Sequence, residues 1–318
     1  MVCSIHKSLD EKDMFCGAQS IYWELKELNI KKIPGIRTID RILFRNSLTR
    51  KKEKHESKGV KYPVFNIEKT NQMHQLDFVG PRYLSGGFRF YSMNVVDLAT
   101  RRCATQPLFS KDSQSVLDAL WSVWKRLGIP KVLQVDNEAV FYGSQRYPRG
   151  MGSVIRLCLA NQSSVLFIPP SEPWRNGIVE RFNDHYQQKL LNRKTILNPE
   201  ELFNYSLEFE QRFNSTFRLS ALNGKTPLTV LKNMNSEIRF PTIEKAPLHK
   251  IKKPEDGKYH LVRFIKSNRH LNIFGEIFKM PDTLIYEYVI ATINVKEQKL
   301  LIYDSNKYLI EKYEYKLR

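Results

Sequence analysis

Cysteine is scarce in this 318-residue sequence, and no pair of cysteines makes a CxxC. Cys3, Cys16, Cys103 and Cys158 stand apart, so no disulfide framework is expected and a reducing compartment fits. Cys3, His6 and Cys16 lie near one another, but the next histidine is His55, which leaves a tetrahedral zinc set incomplete. Long apolar runs are missing too. The longest, such as Val165 to Ile168, are strand-sized and far short of the roughly 20 residues of a membrane span. The first residues include Lys7, Asp10, Glu11, Lys12 and Asp13 and no apolar signal core, so the expected location is cytoplasmic. There is no P-loop, GxSxG or HExxH, and Gly150-Met151-Gly152 lacks the third glycine of a dinucleotide fingerprint. Acidic residues are few beside basic ones. Asp and Glu number 33 against 51 Lys and Arg, a formal charge of +18. Such an excess points to a polyanionic partner, nucleic acid before others; a merely basic chain is the alternative. Hydrophobic residues make up 42%, enough for the cores of about two ordinary domains.

Residues 1–50 are predicted to form a helix-turn-helix. Ile21, Leu25 and Leu28 recur at helical spacing, NIKKIPG breaks the chain, and Thr38 is a candidate N-cap for a second helix bearing Ile39, Ile42 and Leu43. Arg37, Arg41 and Arg45 fall on one face of that second helix, suited to phosphate or base-edge contacts. A plain helical hairpin with a solvated basic face is the other reading. Residues 51–70 form a basic linker. Lys51 and Lys52 head a run that either tracks a phosphate backbone or is a solvated tether.

Residues 71–235 read as a mixed α/β unit. Three strands in a meander precede an amphipathic helix with a Val116, Leu120, Val123, Trp124, Leu127 stripe. A strand (KVLQVDN), a short helix, a strand (SSVLFIPP) and a long helix from Asn176 to Leu191 follow. Residues 236–256 are rich in Pro and Lys and read as a second linker. Residues 257–318 alternate strongly and predict a separate small β-barrel.

Three acids stand out. Asp77 sits within the strand HQLDFVG, Asp136 ends a strand in QVDNEAVF, and Glu180 lies on a helix in NGIVERFN. An acid in an apolar strand is costly without a partner. Two of them on strands expected to be neighbours point to a cation. Oxygen ligands alone suit Mg²⁺ or Mn²⁺, and two such ions can clamp a phosphodiester. The other reading is three unrelated acids, two of them at strand ends. Gly177 is expected to let the helix approach the strands. Asn137 and Asn176 flank the acids and are candidates to orient ligands or DNA. Arg181 could hold a phosphate or a surface salt bridge, and Lys189 extends the basic side of the helix towards DNA. Trp174 is expected to be a packing anchor, and Asp97 structural.

HQLDFVG, VDNEAVF, PPSEPWRNGIVERFN and LNGKTPLTVL together resemble the DDE transposases and retroviral-type integrases, in particular bacterial insertion-sequence transposases with an integrase-type core. The resemblance covers most of the chain, and the stretch around Glu180 is its most specific part. It implies a ribonuclease-H-like core in which Asp77, Asp136 and Glu180 form the catalytic triad and hold two Mg²⁺ or Mn²⁺ ions. It implies cleavage of double-stranded DNA at element ends and joining of 3′ hydroxyls to target DNA, without a covalent enzyme intermediate. It further implies a homo-multimer on DNA and, in a bacterium, association with the nucleoid. The sequence departs from the family in two places. Between Asp136 and Glu180 lie 43 residues, more than is usual, and the surplus fits a mobile loop from Gly143 to Gly152. Glu138 stands where glycine is common. These departures keep two alternatives open: a DNA-binding descendant without strand transfer, and a metal-dependent nuclease that cuts without joining.

Overall fold

The computed structural model describes residues 1–28, 30, 32–49, 62–63, 65–143, 149–248 and 250–318. Lys51 and Lys52 lie outside them. The chain divides into two compact units. One holds residues 1–58 and 211–234, the other residues 59–210 and 235–318.

The first unit is helical. Helices α1 (Val2–Glu11), α2 (Ala18–Glu27) and α3 (Ile36–Arg45) bury Val2, Leu9, Ile21, Leu25, Ile39 and Leu43 against one another. Burial of these aliphatic side chains, at roughly 1.5–3 kcal/mol each, is the main force holding so short a set of helices. Gly35, not Thr38, occupies the N-cap of α3, because the helix begins three residues earlier than the capping pattern suggests. Leu28 falls just past α2 and is exposed. Later in the chain, Phe213 and Phe217 pack edge-on against Phe15. Gly224 sits so close to the Trp23 indole that a Cβ there would come within 2.6 Å of it.

The second unit is built on one mixed sheet. Its strands are β1 (Met73–Tyr83), β2 (Arg89–Asp97), β3 (Cys103–Leu108), β4 (Val132–Val135), β5 (Ser164–Phe167) and β6 (Lys258–Phe264), with β9 (Tyr288–Asn294), β10 (Lys299–Tyr303) and β11 (Leu309–Glu314). Their order is β11-β10-β9-β6-β5-β4-β1-β2-β3. The central strands β1, β4, β5 and β6 are parallel, and the flanks are antiparallel. A separate hairpin joins β7 (His270–Ile273) and β8 (Glu276–Lys279). Helices α4 (Ser113–Leu127), α5 (Ala139–Tyr142), α6 (Ser153–Ala160) and α7 (Gly177–Tyr186) belong to this unit; α8 (Pro199–Thr216) begins in it, and α9 (Pro227–Lys232) belongs to the first unit. The predicted stripe of α4 is buried throughout, and Asp112 caps the helix by accepting from the Gln114 and Ser115 amides.

The C-terminal strands continue the core sheet instead of standing apart from it as a separate barrel. Val165–Phe167 of β5 pair with Tyr259–Leu261 of β6. The physical reason is the edge of β5, whose backbone groups need partners that β6 supplies. The presumed linker before β6 carries no helix or strand among its described residues, yet it is fixed. Ile129 N donates to Arg239 O, and Trp121 Nε1 donates to Ile243 O. Among the described residues, no helix is long and apolar enough to cross a membrane.

Candidate active site

Asp77 lies mid-way along β1, Asp136 directly follows β4, and Glu180 lies on α7. The β1–β4 ladder pairs Gln75 with Gln134, so two residues further along the same register Asp77 comes level with Asp136. Both are half-buried, as is Glu180 in the first turn of α7.

Three amide side chains fix the start of that helix to the strands. Gln75 Oε1 accepts from the Ile178 and Val179 amides at 3.2 and 3.1 Å, satisfying two N–H groups that a helix start leaves open. Gln75 and Gln134 both donate to the Arg175 carbonyl. Asn176, buried, donates to Leu76 O and accepts from Gln134 Nε2, both at 3.0 Å. Asn176 is therefore a strut between helix and strands. Gly177 does not serve close approach: a Cβ there would meet nothing within 4 Å. The α7 N-terminus faces the strands through the amides on either side of it.

A second relay reaches Asp77. Its Oδ1 accepts from Phe78 N and its Oδ2 from Asn183 Nδ2, each at 2.8 Å. Asn94 Nδ2 donates to Asn183 Oδ1 at 2.7 Å, and Thr105 Oγ1 donates to Asn94 Oδ1. Thr105, Asn94 and Asn183 are all buried, so the relay is fixed by the sheet.

Burial pushes the Asp77 carboxyl up to about 7, against the Phe78 amide, and repulsion from Asp136, Glu180 and Glu138 adds to it. Asp136 is raised mainly by burial, and Glu180 by burial and by Asp184. Asp136 Oδ1 accepts from the Glu138 amide at 3.0 Å. Glu138 itself turns to Lys111, 2.7 Å away, whose ammonium also lies over the Phe78 ring at 4.4 Å. Among the described residues, no group of three or more His, Cys, Asp and Glu side chains is gathered closely enough to hold a metal ion. The chemistry of the donors nevertheless fits a hard divalent cation: three carboxylates, all raised, with repulsion at Asp77 that such an ion would relieve.

Other predicted residues fall as follows. Asn137 donates to Ile168 O at 2.7 Å and accepts from Arg263, facing away from solvent chemistry. Arg181 is exposed and Lys189 half-buried. Arg37, Arg41 and Arg45 are all exposed, opposite the buried Ile39 and Leu43. Asp97 is buried and accepts from Thr70 Oγ1 and Asn71 N, a structural role. Trp174 is 61% exposed and is not a packing anchor, because the 3₁₀ turn Pro173–Asn176 turns it outward. Sequence reasoning missed Gln75, Gln134, Asn94 and Asn183. The available signal was an amide at an apolar strand position two residues before each acid, and the asparagine three after Glu180.

The structure is similar to the magnesium-bound, dimeric HTLV-2 integrase catalytic core domain (18% identity, 51% of this chain and 97% of that one, TM-score 0.38). It is also similar to a chain of the simian T-cell lymphotropic virus intasome in complex with PP2A regulatory subunit B56 gamma (16%, 98% and 96%, TM-score 0.46). A third likeness is to the BIV integrase catalytic core domain (15%, 51% and 95%, TM-score 0.37). No curated protein matches the chain. The family model of the integrase core domain matches residues 161–227. The stretch that carries β5, Glu180 and the amide-anchored helix is thus the part of the chain that matches the integrase core domain model.

Proposed function

We propose that the chain is a DDE-type DNA transposase: it binds the ends of a mobile element, cleaves them and joins their 3′ hydroxyls to target DNA. The observation that carries this reading is the pairing of Gln75 with Gln134, each two residues before Asp77 and Asp136, on neighbouring parallel strands, with Glu180 on a helix pinned to those same strands. Asp77, Asp136 and Glu180 are the catalytic acids and would hold two Mg²⁺ or Mn²⁺ ions. Bound there, the ions would supply Lewis-acid activation of the attacking oxygen and stabilise the leaving one. The protein's own part is to fix three acids against their repulsion, Asp77 through Asn183 and Glu180 through Gln75. Arg37, Arg41 and Arg45 supply contacts to element ends in a helix-turn-helix at residues 1–50, and Lys51 and Lys52 follow the backbone; Arg181 and Lys189 face DNA near the site. Two ends must be joined in one event, so a homo-multimer assembles on double-stranded DNA.

A second reading, a DNA-binding descendant without strand transfer, is favoured by the spread of the acids and by Glu138 in the place of glycine. Strand transfer with labelled DNA carrying the flanking terminal repeats, in Mg²⁺ or Mn²⁺, separates the two. Joined products that vanish in Asp136→Asn, while end binding persists, are expected. Binding without products at every metal concentration would favour the second reading, and cleavage without joining would indicate a nuclease.

A further inference from the structure

The chain just after Asp136 is held by the C-terminal strands at three points. Arg263 of β6 is the first. It is 7% exposed, and its Nη2 donates to Asn137 Oδ1 at 2.8 Å. Its Nη1 donates to Ile168 O and Val262 O, and Nε to Asn272 O. Asn137 Nδ2 donates to the same Ile168 carbonyl, closing a ring across the ends of β4, β5 and β6. The second point is Tyr142 of α5, stacked on Phe274 from the β7–β8 turn with centroids 4.6 Å apart. Phe167 meets the same Phe274 ring edge-on. The third is Arg149, which forms a two-pronged pair with Glu276 and lies over the Tyr315 ring at 4.7 Å. Just past the third point the chain packs closely on Tyr142. A Cβ on Gly152 would lie 2.6 Å from the Tyr142 carbonyl carbon.

A surface loop does not require such bracing. A buried guanidinium is expensive unless its donors are all aimed at fixed acceptors, and Arg263 meets that condition with carbonyls and one amide. Its planar fork fixes the orientation of Asn137, whose peptide follows Asp136 directly. The residue that helps satisfy the buried charge is therefore the one bonded in sequence to Asp136.

We propose that the C-terminal strands are a working part of the Asp136 site, with Arg263 a positioning residue that acts through Asn137. The inference rests on the catalytic reading above. In it, the described residues Asn137, Tyr142 and Arg149 are clamped by β6 and by the β7–β8 hairpin, and loss of a clamp loosens the acid.

The test uses the full chain. Mn²⁺ binding is measured by calorimetry, with Asp136→Asn defining the signal that belongs to the site. Strand transfer is measured against Mg²⁺ concentration in parallel, and thermal midpoints are recorded throughout. Asn137→Ala and Arg263→Met are expected to weaken the Asp136-dependent Mn²⁺ binding about ten-fold, the low end for residues that orient metal ligands. The Mg²⁺ needed for half-maximal joining should rise by the same factor, with the maximal rate recovered in excess metal. Arg263→Lys, a point donor without the fork, should rescue little. If Arg263→Met does not fold, Asn137→Ala, which alters no charge, decides the matter. Variants that lose thermal stability yet bind Mn²⁺ like the wild type would overturn the positioning role and leave the catalytic reading intact. A wild-type chain with no Asp136-dependent Mn²⁺ binding would instead overturn the catalytic reading, and the inference with it.

Discussion

Replacing Asp77 by Asn should make the metal-free protein more stable while ending its activity. Asp77 ionises near 7 in the folded chain against an ordinary 3.8. Between those values the folded state binds a proton that the unfolded state does not, so wild-type stability falls as pH rises from about 4 to about 7 and stays low above it. At 1.36 kcal/mol per pH unit, the interval sets an upper bound of roughly 4 kcal/mol on that penalty. Asn keeps only one oxygen for the two donors, Phe78 N and Asn183 Nδ2, which returns about 1 kcal/mol. A net gain of up to about 3 kcal/mol is therefore expected at pH 8, falling with pH to a deficit of about 1 kcal/mol near pH 4. The assay is urea unfolding in a chelator from pH 4 to 8, followed by fluorescence of Trp121, Trp124 and Trp174, which all lie in the catalytic unit. Added Mg²⁺ should then stabilise the wild type and not the variant. A variant no more stable than the wild type at pH 8, or a gain that ignores pH, would refute the claim that burial and mutual repulsion strain this carboxylate.

Asn183→Ala removes one of the two donors to Asp77. It should raise the Asp77 ionisation further, shift the acidic limb of the pH–rate profile upward and cut strand transfer about ten-fold. Gln75→Ala leaves two amides at the start of α7 without their acceptor, and should cost about 1–3 kcal/mol in urea unfolding of the catalytic unit. Changing Arg37, Arg41 and Arg45 together to Ala should weaken binding to element ends and lower its salt slope by up to about 3, measured by anisotropy from low to high salt. An unchanged slope would remove these arginines from the DNA interface.

Periodicity made most of the second unit legible. The α4 stripe, the apolar runs of β4 and β5 and the helix bearing Glu180 are all where spacing puts them, because each buries one face against the same core. Strand partners were less legible. Alternation in YHLVRFI reports which face of β6 is buried, but it is silent on whether that strand closes a barrel or extends an existing sheet. The site divides in the same way. The three acids are proposed from their apolar neighbours and from the motif around Glu180. The residues that hold them, Gln75, Gln134, Asn94 and Asn183, are ordinary amides in the sequence, and only pairing across the sheet gives them a function. Gly177 and Trp174 were misjudged for one reason: residue type suggests packing, whereas exposure depends on which side of the 3₁₀ turn faces the sheet.

The β5–β6 pairing has a consequence for how the protein is made. β5 emerges from the ribosome long before β6, and until β6 arrives the apolar strand SVLF presents one unpaired edge. An open edge of that kind is a template for strands of other chains. A fragment cut at the expected core boundary near residue 235 would keep this edge permanently bare and should aggregate, while the chain through residue 318 covers it with its own last strands.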